Sequence, residues 1–116
     1  MDDTLQLARL REIFDDDRES IVELLRECVG YVRRSLGELD AALARGDATG
    51  VSRAAHSIKG SCGNVGAIAC ERAAAALEMA SRGATATAVD SARLAAFVDA
   101  FEAAVGRYAR NADTPP

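Results

Sequence analysis

Ala54-Ala55-His56-Ser57-Ile58-Lys59-Gly60 holds the only histidine of the chain, with Lys59 three residues and Gly60 four residues beyond it. On a helix advancing about 100° per residue, with His56 at zero, Ser52 falls at about −40°, Lys59 at about −60°, Gly60 at about 40° and Arg53 at about 60°. Val51, Ala54, Ala55, Ile58, Cys62 and Val65 instead gather around a direction about 210° away. The stretch reads as an amphipathic helix with its imidazole in the middle of the polar stripe, which disfavours a core-packing role for His56. An ordinary surface role remains, but it leaves Gly60 unexplained, because glycine inside a helix costs about 1 kcal/mol relative to alanine. One turn above the ring, a missing side chain clears an approach, and Lys59 places a cation on the other flank. Exposed imidazole, cleared approach and cation together describe a landing site for an anionic group.

Outward from this stretch, the 116 residues are 49% hydrophobic and 28% charged, the balance of one soluble globular domain with a modest core. Aromatics make up 4% and tryptophan is absent, while alanine is abundant, which favours closely packed helices over a sheet. Both prolines lie at the C-terminal end, so none interrupts the body of the chain. A net charge of −4 argues against general nucleic-acid binding. No run of about 18 apolar residues reads as a membrane span, and the acidic Met-Asp-Asp-Thr start lacks the basic and apolar regions of a signal peptide. Cys28, Cys62 and Cys70 have no Cys-x-x-Cys spacing, and a zinc site with one histidine would need carboxylates to complete it. They read as reduced, small apolar packing residues of a cytosolic protein.

Leu5, Leu7, Leu10 and Ile13 fit a short helix over residues 4–13, laid across the end of a bundle and broken by Asp15-Asp16-Asp17. Asp16 with Glu19 reads as a capping box for the next helix. There Ile21, Leu24, Leu25, Cys28, Val32, Leu36, Leu39 and Leu43 recur at three- and four-residue steps, predicting a long helix over 18–45 terminated by Gly46. Gly30 and Gly37 within it mark close helix contacts or nothing at all. Asp47 is placed to cap the histidine helix, which runs to Asn64 or Val65, and Gly66 makes a tight turn. Residues 67–82 resume helical character with Ile68, Ala75, Leu77 and Met79 and end at Gly83. Thr87 with Asp90 caps a last helix to about Arg110, marked by Leu94, Phe97, Val98, Phe101, Val105 and Tyr108. The fold expected is all-α: an antiparallel four-helix bundle with a short additional N-terminal helix, one domain over 1–110 and a disordered tail over 111–116.

The string Ala55-His56-Ser57-Ile58-Lys59-Gly60-Ser61, then Gly66-Ala67 and Leu77-Glu78, with Gly46-Asp47 ahead of it, resembles the histidine-containing phosphotransfer (HPt) domains of multistep bacterial phosphorelays. The resemblance spans about Leu5 to Arg110. Ile58 stands where leucine is commoner, and Cys70 and Ala73 where larger apolar residues are frequent. The resemblance implies a four-helix bundle with His56 as phosphoacceptor, taking a phosphoryl group from an aspartyl phosphate on one receiver domain and passing it to an aspartate on another. It implies receiver domains of response regulators and a hybrid sensor histidine kinase as partners, and a cytoplasmic monomer. In this reading Lys59 neutralises phosphoryl oxygens, Gly60 lets the receiver reach the ring, and Arg53 and Ser57 are secondary contacts. The chemistry agrees: an unperturbed imidazole has a pKa of about 6.5, so a neutral ring with a free lone pair is available to attack phosphorus.

No Gly-x-x-x-x-Gly-Lys-Ser/Thr loop is present, so the chain reads as a stoichiometric relay and not an enzyme with its own nucleotide. No cofactor is expected, and any Mg²⁺ would belong to the receiver. Two rivals differ in class. The dimerisation helix pair of a sensor kinase usually has an acidic residue after its histidine, where Ser57 stands here. A pure interaction module would bind a receiver without carrying phosphate.

Overall fold

The computed structural model describes residues 5–111. Within them lie five helices: α1 (Ala8–Ile13), α2 (Arg18–Ala44), α3 (Ala48–Asn64), α4 (Ile68–Arg82) and α5 (Ala88–Asn111). On α2, Ile21, Leu25, Val29, Val32, Leu36 and Leu39 are buried, and so is the expected stripe of Val51, Ala54, Ala55, Ile58 and Cys62 on α3 with Val65 just past its end. Phe101, Ile21, Leu25, Leu39, Ile58 and Leu94 are the largest fully enclosed side chains. Each such side chain contributes roughly 1.5–3 kcal/mol by leaving water.

Cross-helix contacts fix the topology. Near its C-terminal end α2 meets the start of α3, where Ala42 lies against Gly50, and Cys28 further back on α2 reaches the Ser61 carbonyl late on α3. α3 and α4 pair His56 with Glu78 and, nearer their turn, Gly63 with Glu71. α2 and α5 pair Asp40 with Ser91 and Arg33 with Asp99 and Glu102. In each pair one index rises as the other falls, so neighbours are antiparallel. Each of α2 to α5 touches the next around a closed square, and α2–α4 and α3–α5 lie across its diagonals. The most extensive interface is α3 on α4. Ala54 and Ala55 on α3 and Ala74 on α4 are buried, and polar side chains of the two helices meet at the rim of their interface. No helix among the described residues is long and apolar enough to cross a membrane.

Several expected details shift. The N-terminal helix is only Ala8–Ile13, because the segment before it is used as a strap: the Gln6 amide donates to the Gly66 carbonyl at 2.9 Å. Leu10 is buried and Leu5 and Leu7 pack partly against the core. Asp17, not Asp16, caps α2 by accepting from the Ser20 amide. Asp15 and Asp16 are spent on the preceding turn, both at positive φ of 51° and 60°, leaving the extended position to Asp17. Asp47 caps α3 through Gly50 at 2.9 Å, and Thr87 and Asp90 bond reciprocally at the start of α5, both as expected. Gly46 and Gly66 take left-handed conformations, whereas after α4 that role falls to Ala84 at φ 56° and not to Gly83. Gly37 marks no close contact, since a Cβ there would meet nothing within 4 Å. Met79 is exposed and the inner stripe of α4 is Cys70, Ala74, Leu77, Glu78 and Ser81. Phe97 is partly exposed too. Helix α5 includes Asn111, the first residue of the expected tail; residues 1–4 and 112–116 lie outside the described residues.

Candidate functional site

Because Ala55 and Ile58 anchor the buried face of α3, His56 is turned outward, and 66% of its side chain is exposed. Its Nδ1 lies 2.9 Å from Oε2 of Glu78 on α4. Lys59 Nζ donates to the other carboxylate oxygen, Oε1, at 2.9 Å, and Arg82 Nη2 donates to Oε2 at 3.2 Å. Glu78 is buried, but both of its carboxylate oxygens accept hydrogen bonds, three in all, which is what makes a buried charge tolerable. The hydrogen bond from Lys59 holds the Glu78 carboxyl below its usual pKa against the opposing effect of burial, with the His56 hydrogen bond and the Lys59 and His56 charges assisting.

An ionised carboxylate only accepts. The Nδ1 of a neutral His56 must therefore carry the ring proton and donate it to Glu78, which leaves the Nε2 lone pair free. One anion and two cations meet at Glu78, so the cluster carries a net positive charge beside an exposed nucleophilic nitrogen. A Cβ built on Gly60 would meet nothing within 4 Å, so the space above the ring is open. Arg53 and Ser57 line the same open groove as His56, together with Ser52 and Arg82. Of the five residues expected at the site, Arg53, His56 and Ser57 line this groove, and none of the five is buried. Lys59 is engaged by Glu78 and not pointed freely at solvent.

Glu78 and Arg82 were not among the residues singled out for the site. Leu77-Glu78 entered only as part of a string. The available signal was positional: Glu78 stands one turn after Ala74 and one before Arg82, so a carboxylate occupies the inner stripe of an alanine-rich helix with a cation beside it. The alanines hid the phase of that stripe.

These features define a class of protein, a helical bundle that displays an imidazole oriented by a buried carboxylate, with no nucleotide loop in its sequence. The Hpt domain family model matches residues 23–105, and the chain belongs to that family. Membership carries histidine phosphotransfer within phosphorelays at the level of the family. No curated protein and no solved structure gives a match.

Proposed function

We propose that His56 accepts a phosphoryl group from the aspartyl phosphate of a receiver domain and passes it to the aspartate of a response regulator. The observation that carries this is the pairing of Nδ1 with Glu78 while the rest of the ring faces solvent. The Nε2 lone pair attacks phosphorus in line, the bond from phosphorus to the aspartate oxygen breaks, and the carboxylate leaves. The ring becomes a phosphoimidazolium that still carries its Nδ1 proton, and the charge of Glu78 opposes that new positive charge. The same charged ring is a good leaving group, which suits transfer onward. Lys59 and Arg82 attract the phosphoryl oxygens, and Gly60 leaves room for the receiver's active site. Arg53 and Ser57, at the groove margin, contact the docked receiver.

The chain acts as a stoichiometric relay without autokinase activity, and the Mg²⁺ needed for transfer belongs to the receiver. Its partners are receiver domains of response regulators and a hybrid sensor histidine kinase, met in the cytoplasm by a monomer. The test incubates a receiver labelled on its aspartate with the wild type and with His56→Gln. Label on the wild type alone, acid-labile and base-stable, is the expected result. Binding without transfer from several receivers would instead make the chain a non-transferring interaction module.

A further inference from the structure

The two flanks of His56 differ. On one, Lys59 reaches across to Glu78 of α4. On the other lies Gly60, about 100° round the helix from Lys59, so its open space faces α2. The contacts of Cys28 with Ser61 and of Ala42 with Gly50 set the register of α2 against α3. They put Tyr31 about level with Gly60 and Arg34 about level with His56. Tyr31 stands about 60° outward of Cys28 on the α3 side of α2, while Arg33 turns the opposite way, to Asp99 and Glu102 of α5. Tyr31 is 43% exposed, and among the described residues no other large apolar side chain of α2 or α3 is exposed. The Arg34 guanidinium lies over its ring, 5.9 Å from the centroid. Arg34 is itself exposed and makes no ion pair among the described residues.

We propose that Tyr31 and Arg34 are the anchor on which a receiver domain seats as it reaches His56, and that they help set which receivers the chain accepts. This rests on the phosphoacceptor reading of His56 and adds the side from which the partner comes. Even a small transient interface covers about 600 Å² on each partner, a patch roughly 25–30 Å across. Packed helices lie only about 8–10 Å apart. A receiver that reaches His56 over Gly60 therefore also covers the outer flank of α2, where Tyr31 and Arg34 stand. Tyrosine offers a large contact area for little loss of rotamer freedom, and tyrosine and arginine are the side chains that most often dominate binding at the centre of an interface. The stacked guanidinium holds the pair in place before a partner arrives, which lowers the ordering cost of docking. Arg34 has no carboxylate to give up, so its charge is available to the partner. A receiver must gather oxygen ligands, carboxylates above all, to hold Mg²⁺ beside its aspartate, and an acidic rim of that kind is what Arg34 attracts.

The test uses the full chain and a panel of receiver domains labelled on their aspartate. For each receiver that labels the wild type, initial rates of transfer are measured against receiver concentration. Tyr31→Ala should raise the half-saturating concentration on the order of 10–30-fold while the maximal rate stays near that of the wild type. Arg34→Glu should act in the same direction, more strongly at low salt than at high salt. Met79→Ala removes a still more exposed apolar side chain from α4 and should match the wild type. Urea titration separates docking from folding: both α2 variants should unfold at the wild-type midpoint, and Arg34→Glu decides the matter if Tyr31→Ala is destabilised. Wild-type half-saturation in the α2 variants, a loss confined to the maximal rate, or a loss seen only in Met79→Ala overturns the anchor and leaves His56 as acceptor. A wild type that takes label from no receiver overturns the relay reading and the anchor together.

Discussion

His56 Nδ1 stands 2.9 Å from Glu78 Oε2 across the α3–α4 seam, with 66% of the histidine side chain exposed and only 6% of the glutamate side chain. One partner is thus held by the protein and the other offered to solvent. The buried carboxylate fixes the ring's orientation and its protonated nitrogen, and the bundle packing fixes the carboxylate. Reactivity at an exposed residue is set from inside the fold.

Glu78→Gln keeps the shape and removes the charge. The amide no longer enforces the Nδ1–H tautomer, nor does it oppose the charge of the phosphoimidazolium. In metal sites, carboxylates that orient a histidine are worth on the order of 10–100-fold, and a loss of similar order in the rate of transfer to His56 is expected here. Stopped-flow transfer from a labelled receiver measures it. Nitrogen NMR of His56 should show the Nδ1-protonated form dominant in the neutral wild type and diminished in the variant. Wild-type transfer rates in Glu78→Gln would remove the carboxylate from the mechanism.

Gly60 separates folding from docking. It lies within α3 with open space where a side chain would go, so alanine removes a backbone-entropy penalty without a clash. Gly60→Ala should raise stability by about 0.5–1 kcal/mol in urea titration. Gly60→Leu should fold as well as the wild type yet accept label much more slowly, because its bulk stands in the receiver's path. A leucine variant that transfers normally would mean the receiver approaches from another side.

How far the chain reveals itself before folding depends on how sharply each stripe is drawn. α3 was fully legible because Val51, Ala54, Ala55, Ile58 and Cys62 leave one face and polar residues the other, and all five are buried. The five expected site residues lie on that helix, and none of them is buried. α4 was legible as a helix but not in phase: alanine fits either face, so Met79 was read with the apolar residues although it is 73% exposed. Glu78 was missed for the same reason, since its meaning comes from three residues, His56, Lys59 and Arg82, two of which lie on the other helix. The Asp15-Asp16-Asp17 run offered three caps, and only the backbone decided in favour of Asp17. Local chemistry is written in local sequence; pairing across a seam is not.

Gly66 carries the turn that brings α4 back along α3. Its φ is 78°, and a Cβ there would overlap the Gln6 carbonyl of the N-terminal strap. Gly66→Ala should therefore cost about 1–2 kcal/mol for the left-handed backbone alone, with displacement of the strap in addition. Urea titration reads the first effect. The second appears as faster hydrogen exchange at the Gln6 amide, which is bonded to the Gly66 carbonyl at 2.9 Å. An alanine variant of wild-type stability with a protected Gln6 amide would contradict this account of the turn.

The Glu78 cluster also sets an acid limit on the fold. In the unfolded chain the Glu78 carboxyl takes up its proton near the ordinary glutamate value of about 4.3. In the folded chain that value is lowered, chiefly by the Lys59 hydrogen bond and then by His56. Between the two values the unfolded state binds more protons, so stability falls as pH falls, and the contribution of Glu78 is fully present only above the unfolded value. Below the folded value it is gone. Glu78→Gln cannot titrate, so its stability should decline less steeply through this window than that of the wild type. Asp47, lowered chiefly by the Gly50 amide, contributes equally to both proteins and cancels in the comparison. Urea midpoints measured for the two proteins between pH ~6 and ~3 should converge as the solution is acidified. Parallel curves would show that the folded Glu78 carboxyl titrates at its ordinary value.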